Sequence, residues 1–193
     1  MPTQEIETFC PTSRQHWRQW LQMHHETQQS IWLIYYKKGS SKPTISWSEA
    51  VDEALCFGWV DSQKKPIDEE KYRQLFSRRR ANGTWSKINK DKILQLLDKG
   101  LMTKVGLECM EKAKHNGSWT ILDAVETLKT PKDLEKEFKK HPGSKAFFNS
   151  LSKSARKSIL QWLVLAKRPE TRQKRMNEIA ALAAQKRKPK HLL

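Results

Sequence analysis

The sequence predicts an α+β protein, with a small mixed or antiparallel sheet and two helices in the first half and a mostly helical second half. The run from Ser30 to Lys38 is dense in β-branched and aromatic residues and ends at Gly39, which is typical of a strand. After Asn82-Gly83 the chain shows helix-start residues and helical spacing of its apolar residues. These two patterns divide the chain into a sheet-containing part and a helical part.

The first elements follow from local signals. Residues 6–10 form a short extended segment, and Thr12 or Ser13 can cap the helix that comes next. Trp17, Trp20, Leu21 and His24 are spaced at i, i+3, i+4 and i+7, so they lie on one face of that helix. This spacing predicts a helix that packs on the sheet.

The second helix has a signal at each end. Ser46 and Glu49 form a capping box, so we expect a helix over 47–57. Gly58 can close it in the left-handed conformation. Two further strands are predicted over 59–65 and 71–79, separated by Pro66 and an acidic turn.

The second half contains five helix starts. They are Ser86, Thr103, Pro131, Ser152 and Pro169. The predicted domains are therefore a sheet-containing half over 1–82, a helical half over 83–184 and a basic flexible tail over 185–193. No internal repeat is visible.

Composition excludes several classes of protein. The chain has 193 residues and a mean hydropathy of −0.81, and its longest apolar stretch is far shorter than the roughly 20 residues that span a bilayer. No secretory signal opens the sequence, and no Cys-x-x-Cys occurs among its three cysteines. We therefore expect a protein of the reducing cytoplasm that does not insert into membranes.

Sequence motifs for catalysis and cofactors are missing. There is no His-x-x-x-His pair for a metal and no glycine-rich phosphate loop. We expect no metal and no cofactor. No nucleophile, base and orienting group are recognisable together, so an enzyme of unknown reaction is the weakest of the functional interpretations.

Positive charge is concentrated near the C-terminus. The net charge is +16, and residues 152–193 contain twelve basic and two acidic side chains. A clustered positive field attracts anions, although a solubilising surface would have the same composition. One alternative function is nonspecific nucleic-acid or acidic-surface binding by the basic face that contains Lys153, Arg156 and Lys157, with affinity that falls steeply as salt rises.

Arg172 stands out on the last helix. From the start at Pro169, helical geometry places Arg172 beside the apolar stripe, where an unpaired guanidinium is costly. Its partner is expected to be a carboxylate of the first half or a bound anion. The candidate carboxylates are Asp61, Asp68 and Glu53.

Several motifs occur in one order along the chain. They are Ala54-Leu-Cys-Phe-Gly-Trp-Val-Asp61, Trp85-Ser-Lys-Ile-Asn89, Gly100-Leu-Met-Thr103 with Gly106, Gly117-Ser-Trp119, and Ala166-Lys-Arg-Pro-Glu-Thr-Arg172 with Arg175. From about Trp17 to Ala183 the chain resembles the bacteriocin-protection family, also described as YdeI or OmpD-associated. The resemblance implies a bacterial cytoplasmic protein of stress and bacteriocin tolerance, and it supplies no reaction. Arg78 stands where the family commonly has proline, which makes Arg79 the matching arginine.

The candidate site is a cleft between the two halves that binds a small anionic ligand. Arg79, Lys167, Arg168 and Arg172 supply the positive charge, with an apolar wall from Trp59 or Trp85. The full set of candidate ligand-binding residues is Trp59, Asp61, Arg79, Trp85, Asn89, Lys167, Arg168 and Arg172. For Asp61 a local turn, and for Trp85 core packing, are the alternative interpretations. The oligomeric state is not predicted.

Overall fold

The structure, a computed structural model, describes residues 6–37 and 39–189. It confirms the α+β class, and it divides into two compact units, of which the first ends at Trp119 and the second begins at Thr120. Among the described residues, no helix is both long enough and apolar enough to cross a membrane.

The first unit is built around a four-stranded mixed sheet. Its strand order is β1-β2-β4-β3, in which β1 runs parallel to β2 and the other neighbours are antiparallel. The elements are β1 (Thr8–Phe9), α1 (Arg14–His24), β2 (Ser30–Tyr36), α2 (Trp47–Cys56), β3 (Trp59–Pro66), β4 (Lys71–Arg78), α3 (Lys87–Asp98) and α4 (Lys104–His115).

Local sequence accounts for the ends of these elements. The side chain of Ser46 accepts from the Glu49 N–H, and the Glu49 carboxylate accepts from the Ser46 N–H, so the predicted capping box is formed. Ser86 and Thr103 cap α3 and α4 with their hydroxyl oxygens. Gly58 has φ +69° and turns the chain from α2 into β3.

The core of the first unit extends past the boundary predicted at residue 82. Trp17 of α1, Trp59 of β3 and Phe76 of β4 are buried together with Trp85 and Met110. Because α3 and α4 bury their apolar faces in the sheet's own core, the structure divides after Trp119. The Asn82-Gly83 turn lies within the first unit.

The second unit is helical. Its elements are α5 (Asp123–Glu126), α6 (Lys132–Lys139), α7 (Ser144–Ser150), α8 (Lys153–Val164) and α9 (Pro169–Ala184). Leu134, Phe138, Phe148, Leu163 and Ile179 are buried in a separate core. In the predicted basic tail, the side chains at 186–188 are exposed, and residues 190–193 lie outside the described part of the chain.

Candidate anion site

A small cavity lies in the first unit where the end of α2, the start of β3 and the end of β4 meet α4. Its volume is about 280 Å³, and its wall includes Phe57, Trp59, Arg79, Val105 and Cys109. We call it the Arg79 cavity. His25, Glu26, Arg78, Glu108 and Lys112 also line it.

Glycines permit the close packing that forms this cavity. A Cβ on Gly106 would lie 2.2 Å from the carbonyl oxygen of Cys56, so only glycine allows α4 to approach the end of α2 this closely. The Thr103 hydroxyl donates to the same carbonyl over 2.6 Å. These contacts anchor the first turn of α4 and thereby position Val105 and Cys109 in the wall.

Arg79 is held in one orientation. Its backbone N–H donates to the Gly58 carbonyl over 2.9 Å, and its Nη1 donates to the Thr84 carbonyl over 3.0 Å. The guanidinium carbon lies 3.6 Å from the centroid of the Trp85 ring, a cation–π contact. The guanidinium plane is therefore fixed by one hydrogen bond and by an aromatic ring.

The remaining edge of this guanidinium has no partner. The Nε and Nη2 atoms of Arg79 are buried, and no group in the described chain accepts from them. Trp59 Nε1 and Arg78 Nη2 are buried and unpartnered in the same way. All four atoms are donors and belong to residues that line the Arg79 cavity. They make up four of the seven such atoms found within 6–37 and 39–189.

The cavity combines a protonated guanidinium with a neutral thiol. Burial lowers the pKa of Arg79 to about 10, against smaller raising effects of Cys109 and Asp61. Arg79 is thus still charged at neutral pH. Burial also raises the pKa of the Cys109 thiol, which Arg79 and Lys112 oppose. An acceptor with negative charge is the chemical complement of this interior.

Asp61 lies in a different cavity from the one that contains Arg79. Its carboxylate accepts from Trp47 Nε1 over 3.0 Å and from Gln74 Nε2 over 3.1 Å. That second cavity is also lined by Lys64 and Tyr72. Asp61 therefore joins the start of α2 to β3 and β4, and it makes no hydrogen bond to Arg79.

The other candidates in the first unit act through packing and capping. Trp85 is 1% exposed, and its ring centroid lies 5.0 Å from that of Trp119, so the core-packing interpretation of Trp85 is confirmed. The Trp85 ring also makes the cation–π contact with Arg79. The backbone N–H of Asn89 donates to the capping hydroxyl of Ser86. Trp59 is buried against Trp20 in an edge-to-face contact.

Arg172 is paired inside the second unit. Its Nε donates to one oxygen of Asp133 over 2.7 Å, its Nη2 donates to the other over 3.1 Å, and its Nη1 donates to the Leu163 carbonyl. Arg172 does pair with a carboxylate, as one of the two expectations stated, and that carboxylate is Asp133 on α6. The prediction of Asp61, Asp68 or Glu53 was wrong, because a carboxylate of the same unit accepts from both Nε and Nη2 of Arg172.

The five other basic candidates lie on α8 or just before α9 and differ in their surroundings. Arg156 is partly buried, and its Nε has no partner in the described chain. Lys167 and Arg168 are exposed, whereas Lys157 forms an ion pair with Glu126 at 2.5 Å. Lys153 is exposed. Nucleic-acid contact through this face stays a prediction.

Of the residues that line the Arg79 cavity, only Trp59 and Arg79 were among the sequence candidates, and three of the missed residues are polar groups with a possible role at the site. They are His25, Arg78 and Cys109. Cys109 follows Gly106 by three positions, so it shares the helix face that Gly106 brings close to α2. That spacing is a usable signal, whereas His25 and Arg78 are brought in by tertiary packing that local sequence does not encode.

Comparisons with known families cover both units. The family described as Domain of unknown function (DUF8412) matches residues 9–109, and the family described as Bacteriocin-protection, YdeI or OmpD-Associated matches residues 127–186. The second match confirms the resemblance drawn from the motifs, over a shorter segment than 17–183. No curated protein and no solved structure matches the chain.

Proposed function

The chain belongs to the family of the domain of unknown function (DUF8412) and carries a bacteriocin-protection, YdeI or OmpD-associated domain at 127–186, and from this premise we propose that its first unit binds a small anion at Arg79. The proposal rests on one observation. Four buried N–H donors without acceptors are grouped on three residues that line one cavity.

The energetic argument concerns unpaired donors. A buried donor without an acceptor costs roughly 1–3 kcal/mol, and a charged one costs more. Folded proteins keep few such groups, and those that persist mark a strained or functional location. An oxyanion that accepts from Arg79 would remove this cost and neutralise the guanidinium at the same time.

Ligand entry requires a small movement of the wall. The Arg79 Nε and Nη2 atoms are closed to solvent, so an incoming oxygen reaches them only after neighbouring side chains shift. Such a shift couples binding to the packing of α4 against α2. Binding is therefore expected to stabilise the first unit.

Arg79 replaces Arg172 as the main charge partner in this proposal. The Nε and Nη2 atoms of Arg172 are already occupied by Asp133. Lys167 and Arg168 remain exposed cations of the second unit and contribute general positive charge. Cys10, Cys56 and Cys109 are free, which fits the reducing cytoplasm that we propose as the location.

A thermal-shift screen tests the proposal. The full chain is melted with acetate, benzoate, phosphate and sulfate, beside the variants Arg79→Lys and Arg172→Lys. At a ligand concentration of 100 times Kd, binding stabilises the folded state by about 2.7 kcal/mol, which corresponds to a rise in Tm of several degrees. We expect Arg79→Lys to abolish this rise, because lysine lacks the two parallel N–H donors of a guanidinium. Arg172→Lys should keep the rise.

A second measurement does not depend on the stability of the variants. Cys109 lines the cavity, so a bound anion should slow its alkylation by iodoacetamide in the wild-type protein, followed by peptide mass spectrometry. Cys10 lies elsewhere and is the internal control. If no anion raises the Tm and none protects Cys109, the proposed function is wrong.

A further inference from the structure

We infer that the ligand of the Arg79 cavity is a monocarboxylate with a small apolar body, an inference that rests on the anion site proposed above. Three features of the cavity carry it. They are the shape of the free guanidinium edge, the apolar wall and the charges at the mouth.

The free edge of Arg79 matches a planar group with two oxygens. Nε and Nη2 present two parallel N–H groups on one side of the guanidinium, and each can donate to one oxygen of a carboxylate. Arg172 uses the same two atoms to bind the carboxylate of Asp133 at 2.7 and 3.1 Å. The protein thus contains one complete example of the interaction that Arg79 lacks.

The lining of the Arg79 cavity is mostly apolar. Phe57, Ala81, Val105 and the Cys109 side chain line it, and the volume is about 280 Å³. That volume is enough for a ring or a short branched chain. Burying an apolar body there adds affinity that a bare inorganic anion cannot gain.

We call the exposed side of the cavity its mouth, and two of the three charged side chains exposed there are carboxylates. Glu26 and Glu108 are exposed on the lining, with Lys112 as the exposed cation among them. A ligand with one carboxylate directs its charge inward to Arg79. A second carboxylate on the far side of the ligand would face the two glutamates and be repelled.

Calorimetry on the full chain tests this inference with benzoate, acetate, inorganic phosphate, terephthalate and benzyl alcohol. We expect benzoate to bind at least about tenfold more tightly than acetate or phosphate, because only benzoate fills the apolar wall. We expect terephthalate, which adds a second carboxylate to the same ring, to bind about fivefold more weakly than benzoate. Benzyl alcohol lacks the charge and should give no measurable heat.

Variants at the mouth make the charge argument specific. Both glutamates are exposed, so the double substitution Glu26→Gln with Glu108→Gln should fold normally. It should bring the affinity for terephthalate to that for benzoate, while Glu111→Gln, another exposed position on α4, should leave the ratio unchanged.

The outcomes separate this inference from the one on which it rests. If phosphate or acetate binds as tightly as benzoate, or terephthalate is not disfavoured, the monocarboxylate assignment is overturned and the anion site stands. If only benzyl alcohol binds, the cavity is apolar in function and both statements fall. Benzoate binding that Arg79→Lys abolishes supports both.

Discussion

Arg79 in the first unit and Arg172 in the second present the same two atoms to different surroundings. The Nε and Nη2 atoms of Arg172 donate to both oxygens of Asp133, while those of Arg79 are buried and donate to no group within the described chain. Each guanidinium is also tied by a backbone carbonyl, Thr84 for Arg79 and Leu163 for Arg172. The chief difference is therefore that Arg172 has a carboxylate partner and Arg79 has none within the described chain.

The comparison separates an arginine with a structural partner from one that we propose binds a ligand. Arg172 gains a bidentate ion pair that joins α9 to α6, so its charge stabilises the second unit. Arg79 gains only an aromatic ring and one carbonyl, and its lowered pKa reports the cost of burial. A side chain that costs stability in the free protein is expected where function requires it.

The largest effect is expected from a substitution at the close contact between α4 and the end of α2. Gly106→Ala places a Cβ 2.2 Å from the Cys56 carbonyl oxygen, so α4 must move away from α2. We expect a loss of about 3 kcal/mol in the free energy of unfolding, measured by urea denaturation, because backbone overlap cannot be relieved by a rotamer change. Gly100→Ala is the control, since its Cβ would meet nothing within 4 Å.

Gly100 has φ +64°, so its substitution should cost only about 1 kcal/mol of backbone strain. Equal losses for the two glycine variants would show that α4 does not depend on the close approach at Gly106.

A smaller effect distinguishes the two arginines directly. Arg172→Met removes the bidentate pair, and we expect it to cost about 1.5 kcal/mol, a value reduced by the partial exposure of both partners. Arg79→Met removes a buried charge without a counterion, so the free energy of unfolding should stay within about 0.5 kcal/mol of wild type or increase. Arg80→Met, at the exposed neighbouring position, measures the cost of the substitution itself.

Opposite responses of these two variants in chemical denaturation would support the comparison. A loss at Arg79 as large as that at Arg172 would mean that Arg79 stabilises the free protein, and its unpaired edge would then need another explanation.

Local sequence was enough to predict most of the elements and part of the site. Ser46 with Glu49, Ser86 and Thr103 mark helix starts that the structure contains, because a cap depends on residues three positions apart. The helices α5 and α7 were not predicted. They have four and seven residues and lack a side-chain cap, so neither periodicity nor capping reveals them.

Tertiary partners were the part that sequence could not supply. Arg172 was correctly expected to need a counterion, yet the choice of Asp133 depends on how α6 lies beside α9. Arg79 was selected from a motif, while its unpaired edge and its contact with Trp85 appear only in the folded chain. Composition and spacing identify the residues that need a partner, and packing decides which partner they obtain.

The smallest effect concerns the pH dependence of the paired arginine. The hydrogen bonds from Arg172 lower the pKa of Asp133, so the folded state holds this carboxylate ionised more strongly than the unfolded state does. Its contribution to stability is therefore present above the unfolded value near 3.9 and is lost as the pH falls through the lower, folded pKa. Arg79, with a pKa of about 10, does not titrate in this acidic range and should not change how the free energy of unfolding depends on pH.

Urea denaturation of wild type and Asp133→Asn between pH 6 and pH 3 measures this contribution. We expect a difference of less than about 1 kcal/mol that is constant above pH 5 and shrinks below pH 4, since Asp133 is 42% exposed. For Arg79→Met, the free energy of unfolding should change with pH in the same way as for the wild-type protein. A difference for Asp133→Asn that grows towards pH 3 would contradict the pairing, because protonation can only weaken an acceptor of two charged hydrogen bonds.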